Sequence, residues 1–143
     1  MKPRAGFTIV ELLIVLALLA VLSTVMFLNF PGARSNQQLS VSAGKLADDL
    51  QKAHIFSREH KGEKVWGVAY TSSDSYAIIS FSQNQQTIEE TKKLPAGITF
   101  NAPFQILFER TGGLTRDTFI QLHNVHSVKK ITVLRTGVVE IEK

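Results

Sequence analysis

The feature that most constrains this chain is an apolar run from Phe7 to Leu28, interrupted by a single charged residue, Glu11. As an α-helix its 22 residues would measure about 33 Å at about 1.5 Å per residue. That is enough to cross a hydrocarbon core of about 30 Å. A short basic leader, residues 1–6, precedes the run and carries Lys2 and Arg4. Basic residues ahead of an apolar span hold the N-terminus in the cytoplasm and send the rest outward. The expected topology is a single-pass membrane protein with its soluble part on the outer side. A secretory signal peptide explains less, because its apolar core is usually about 7–15 residues and needs no acid.

Glu11 is the informative residue of the run. A carboxylate near the start of a membrane helix is costly unless it is paired, so it marks a functional site. Cleavage after Gly6 would give Phe7 a new α-amino group, and Glu11 would then lie four residues along, one helical turn away. It could meet that amine, or the amine of a neighbouring subunit, in a membrane or in the dry core of a filament. A charge pair in such a setting also sets axial register between subunits.

Lys2 and Arg4 in the leader, Gly6 at the cleavage point, Phe7 as the new N-terminus and Glu11 occur together within the first eleven residues. In this the stretch resembles the class III signal of type IV pilins and type II secretion pseudopilins. The resemblance implies leader removal by a membrane-embedded prepilin peptidase and N-methylation of Phe7. It also implies filament assembly through Glu11, with membrane lipid, an inner-membrane assembly platform and other pilins or pseudopilins as partners. The ending, Ile131 to Ile141 with Gly137 inside it, looks like the minor pseudopilin branch. That branch includes the H-type pseudopilin of type II secretion, the T- and U-type minor pilins and the D-type competence pseudopilin. Relatives often carry a helix breaker inside the apolar run, whereas Phe7 to Phe30 has neither Gly nor Pro.

Beyond Phe30 about 113 residues remain, the size of one small domain. Loss of Lys2 and Arg4 would lower the formal charge from +4 to +2. Such a mild excess does not by itself argue for nucleic acid, which needs clustered basic residues. The chain has no cysteine, which excludes disulfides, thiolate metal sites and cysteine nucleophiles.

Pro31-Gly32 closes the apolar run, and a kink or break is expected there. Ser35-Asn36-Gln37-Gln38 fits a capping box, so the helix either restarts at Ser35 or runs through. To about Lys61, apolar residues Leu39, Ala43, Leu46, Leu50 and Ala53 recur every three or four positions, the stripe of an amphipathic helix. Asp48 to Lys52 is a favourable pair one turn apart, and Gly62 suits the residue after the helix end. Val41 and Ile55 point away from the stripe. They are either ordinary exposed apolar residues or contacts to neighbouring subunits. After Gly62 the period becomes two. Strands are expected over 64–70, 75–82, 86–90, 98–100, 105–109, 118–122, 130–135 and 138–141, with turns between them. The predicted fold class is α+β: a long N-terminal helix packed on a C-terminal antiparallel β domain, the pilin fold. The expected divisions are a leader at 1–6, a transmembrane or filament-core helix at 7–30 and a globular domain at 31–143. Within that domain an amphipathic helix at about 35–61 precedes a β region at about 64–142.

Candidate chemistry is sparse. His123-Asn124-Val125-His126 has an HxxH spacing, but on a strand or loop that does not converge two rings on a metal, and no acid lies near as a third ligand. His54 and His60 read as solvated helix residues, and Asp48-Asp49 as a surface pair. Major pseudopilins bind calcium through a late loop with several aspartates. Here Glu109, Asp117, Glu140 and Glu142 are scattered, so no metal and no cofactor is expected. There is no phosphate-binding glycine loop, GxSxG or HExxH, and no catalytic residue is identified. Lys129, Lys130 and Arg135, with Arg110 and Arg116 nearby, are either solvated charges or a phosphate-contacting patch. The second reading would make the domain a DNA receptor in an uptake machine, binding without sequence preference and sensitive to salt. A filament subunit, a DNA receptor on the same scaffold and an enzyme on a signal anchor are the three classes in play.

Overall fold

A computed structural model describes residues 8–83, 85–111, 113–114 and 116–142, with backbone alone over 24–31. The chain divides into two compact units, one ending at Arg34 and one formed by Ser35–Lys143. A single helix, α1 (Ile9–Arg58), supplies the first unit and enters the second. Its backbone stays helical through Pro31 and Gly32, so there is neither a break at Pro31 nor a restart at Ser35. Pro31 removes one backbone donor, and the helical bonds on either side outlast that loss.

In the second unit, helix residues Leu39, Ala43, Leu46, Leu50 and Ala53 are all fully buried, while Val41 and Ile55 are half exposed. The periodic stripe therefore faces the core as expected. Burying each leucine contributes roughly 2 kcal/mol. The helix ends at Arg58, three residues short of Lys61, because His60 takes the left-handed conformation at φ 54°. Gly62, also left-handed at φ 66°, lies in a short 3-10 turn, Lys61–Glu63. Ser57, fully buried, joins the helix end to the first strand. Its Oγ accepts from the Trp66 amide at 2.6 Å and donates to the Trp66 carbonyl at 3.3 Å.

Among the described residues eight strands follow: β1 (Val65–Ser72), β2 (Ser75–Ser82), β3 (Gln85–Lys93), β4 (Thr99–Phe100), β5 (Gln105–Phe108), β6 (Thr118–His123), β7 (Val128–Val133) and β8 (Val139–Glu142). They form two four-stranded sheets, in the orders β3-β2-β1-β5 and β4-β6-β7-β8, and every strand pair is antiparallel. Alternation sends Trp66, Val68, Ile78, Ile106 and Phe108 of the first sheet into the same core as Ile120, Leu122, Ile131 and Val133 of the second. Phe100 stands at the join, with Tyr76 at 6.1 Å and Phe104 at 5.0 Å between ring centroids, both edge-on. This is the expected α+β architecture. β3 is longer than 86–90 because a bulge opposite Ile78 and Ile79 lets it follow β2 along its length. β7 lies earlier than 130–135. Gly137, at φ 84°, closes a turn in which its amide donates to the Leu134 carbonyl, so Leu134 and Arg135 belong to the turn.

Candidate functional site

The N-terminal unit is a bare apolar rod over its described side chains. From Ile9 to Leu22 every large apolar residue is at least 47% exposed, up to 80% at Ile9. A helix that is apolar all round belongs inside a protein assembly or a bilayer, and an exposed apolar surface of this extent marks an interaction site. Thr8 sets where the rod begins. Its Oγ1 accepts from the Glu11 amide at 3.2 Å, and its carbonyl accepts from the Leu12 amide at 3.2 Å. Glu11 thus stands three residues after a threonine N-cap, at the end of the helix where backbone amides favour a negative charge. The Thr-x-x-Glu spacing of Thr8 and Glu11 is the local sequence signal for this cap. Glu11 is exposed. Gly6 and Phe7 lie outside the described residues.

The membrane span expected over 7–30 is only partly covered. Described side chains of the apolar run stop at Ser23, fewer than the about 20 residues a helical crossing takes. Among the described residues no helix is long and apolar enough to cross a membrane.

The second unit carries a buried polar centre where a surface pair was expected. Asp49 is 6% exposed. Its Oδ2 accepts from the Tyr76 hydroxyl at 2.7 Å and its Oδ1 from Lys92 Nζ at 2.7 Å. Lys92 also lies 3.7 Å from Glu90. The Asp49 hydrogen bond holds the Lys92 ammonium above its ordinary range, and burial followed by the same carboxylate pushes the Tyr76 phenol up. Nearby, Glu89 accepts from Lys64 at 2.8 Å and from Ser80 at 2.5 Å, and these bonds, Lys64 first, hold its carboxyl low. Asp48 and Asp49 look alike in sequence; only the sheet decides that Asp49 points inward. The expected Asp48–Lys52 pair gives way to a longer contact, Lys52 to Glu90 at 4.0 Å.

His123 and His126 line one open cleft of about 460 Å³. However, His123 Nε2 lies 3.1 Å from Thr99 Oγ1, and its Nδ1 is buried without a hydrogen-bond partner among the described residues. Among those residues no group of three or more metal-ligating side chains forms. His54 is not solvated as expected: it is half-buried with its ring 5.3 Å from Phe108, because position 54 lies at the margin of the buried stripe. The basic residues are dispersed. Lys129 and Lys130 lie on opposite faces of β7, opposite Leu122 and Gln121 respectively. Lys130 pairs with Glu142 at 3.0 Å, which holds that carboxyl low. Arg135 sits in the β7–β8 turn, its amide donating to Asp117 at 2.6 Å. Arg110 donates to the Glu63 carbonyl at 2.9 Å.

Residues 1–27 match the prokaryotic N-terminal methylation motif. The chain is also 30% identical over 101 residues to the type IV wide pilus major component PilA4 of Thermus thermophilus. The aligned stretch covers 71% of this chain and 65% of that relative's length. No solved structure matches. A methylation motif at the start, a pilin relative aligned over most of this chain and one helix laid on antiparallel sheets together support a place in the type IV pilin and pseudopilin family.

Proposed function

We propose that the chain is a structural subunit of a pilus-like filament, made as a precursor whose leader is removed between Gly6 and Phe7. The observation that carries this reading is the apolar rod, exposed all round from Ile9 to Leu22, inside the methylation motif matched over residues 1–27. Before assembly the bilayer covers the rod, with the leader in the cytoplasm and the Ser35–Lys143 unit outside. After assembly neighbouring rods cover it, and Glu11 pairs with the α-amine of Phe7, methylated, on an adjacent subunit. The basic leader, the apolar run behind it and the position of Glu11 support this sequence of states. The late-glycine ending at Gly137 favours a minor subunit, of a type II secretion pseudopilus or a type IV pilus. Prepilin peptidase, the assembly platform and other pilins are the partners this role requires.

N-terminal mass spectrometry of protein extracted from membranes tests the proposal. The expected mature chain starts at Phe7 and carries one added methyl group. A chain starting at Met1, or at any residue after Ala20, would overturn it.

A further inference from the structure

Where helix α1 enters the Ser35–Lys143 unit, its first turn has no buried apolar anchor. Leu39 is the first fully buried residue of the helix within this unit. Ser35, Asn36, Gln37 and Gln38 precede it, and just ahead lie Pro31, without an amide donor, and Gly32, where an added Cβ would meet nothing within 4 Å. By helix energetics alone this turn should fray, because Pro31 and Gly32 are the weakest helical residues nearby.

The β6–β7 turn meets this exposed turn with one side chain. Asn124 is 8% exposed, and both ends of its amide are engaged. Nδ2 donates to the Ser35 carbonyl at 3.1 Å, to Ser35 Oγ at 3.0 Å and toward Asn36 Oδ1 at 3.3 Å. Oδ1 accepts from the amides of His126 at 2.8 Å and Ser127 at 2.7 Å. Ser127 Oγ donates to Asn36 Oδ1 at 2.8 Å. The oxygen of Asn124 therefore shapes its own turn, and the nitrogen reaches across about ninety residues of chain to the helix. A side chain this deeply buried leaves a costly unsatisfied group if its partners move away.

We propose that Asn124 is a polar clasp that makes Ser35, rather than Leu39, the first rigid residue of α1 in this unit. Fraying that begins at Pro31-Gly32 stops at the clasp. Without it, fraying advances a full turn to the first buried leucine. The clasp is a property of the unit's own fold and stands independently of the filament reading.

Asn124→Asp separates the two ends of the amide. It keeps an oxygen for the His126 and Ser127 amides and removes the donor to Ser35 and Asn36. Ser35→Ala combined with Asn36→Ala removes side-chain partners from the helix side and leaves the turn intact. Amide hydrogen exchange of the full chain in detergent reads the result by mass spectrometry. Both variants should speed exchange at least tenfold over residues 35–42, with β1, β2, β6 and β7 unchanged. Unchanged exchange over 35–42 in both variants would overturn the proposal. So would a rise in β6 and β7 equal to that in the helix in both variants, since the contact would then serve the turn and the helix alike. Exchange raised throughout in Asn124→Asp but confined to 35–42 in the Ser35/Asn36 variant would support the clasp.

Discussion

Asp48 and Asp49 are adjacent on one helix, yet one faces water and the other lies under a sheet. Asp49 is held by Tyr76 and Lys92, which come from two strands that the helix alone cannot specify. Removing the carboxylate leaves the Tyr76 hydroxyl buried without an acceptor, and a buried group left unsatisfied costs about 1–3 kcal/mol. Lys92 is 32% exposed on its side chain, so water recovers part of its loss. Asp49→Ala should therefore destabilise the protein by about 2 kcal/mol, whereas Asp48→Ala should stay within about 0.5 kcal/mol. Thermal unfolding of the full chain in detergent checks both. Equal effects from the two changes would mean that the buried network contributes nothing.

At the scale of elements, the first sheet depends on a glycine in the middle of β1. Gly67 lies between Ile79 on β2 and Leu107 on β5. A Cβ added there would sit 2.1 Å from the Ile106 carbonyl oxygen and 2.8 Å from Leu107 Cδ2. Backbone cannot yield as a flexible side chain can, so β5 would have to move. That strand brings Ile106 and Phe108 into the core, so its displacement opens the packing under α1. Overpacking of this kind typically costs about 1–3 kcal/mol, and a clash with backbone belongs at the upper end. Gly67→Ala should lower stability by about 3 kcal/mol and raise amide exchange in β5 more than in β2. Equal exchange in the two strands would show that β1 absorbs the methyl group by itself.

For the whole molecule, Glu11 has a local role and a proposed assembly role, and two substitutions separate them. Locally it sits at the negative-favouring end of the helix behind its Thr8 cap, a contribution of about 0.3–1 kcal/mol. In a filament core it would neutralise a neighbour's amine, and removing one member of a buried pair costs about 3–5 kcal/mol. Glu11→Gln suits the capping position but carries no charge, and Glu11→Ala loses both roles. Membrane insertion should survive either change, since an apolar helix inserts better without a charge. Incorporation into sheared filaments should fall sharply, and to a similar extent, in both. Normal incorporation of Glu11→Gln would remove the charge pair from the assembly mechanism.

The parts of this fold whose physics is local are legible in the order of the residues. Periodicity of three and four placed Leu39, Ala43, Leu46, Leu50 and Ala53 on the buried face. Period two, with turn residues between, located all eight strands to within a few residues. The basic leader, Gly6-Phe7 and Glu11 marked the N-terminal motif, because those residues are neighbours in the chain. Whatever depends on distant residues meeting came from the packing of the folded chain. It turned Asp49 inward beneath Tyr76 and Lys92 and set the His54 ring against Phe108. It also carried the helix through Pro31 and brought Asn124 to Ser35. Helical and strand periods follow from the bond geometry of each residue and its near neighbours, so a one-dimensional reading captures them. A buried hydrogen bond between residues dozens of positions apart follows from how two sheets and a helix close around one core, and nothing in the spacing of those residues encodes it.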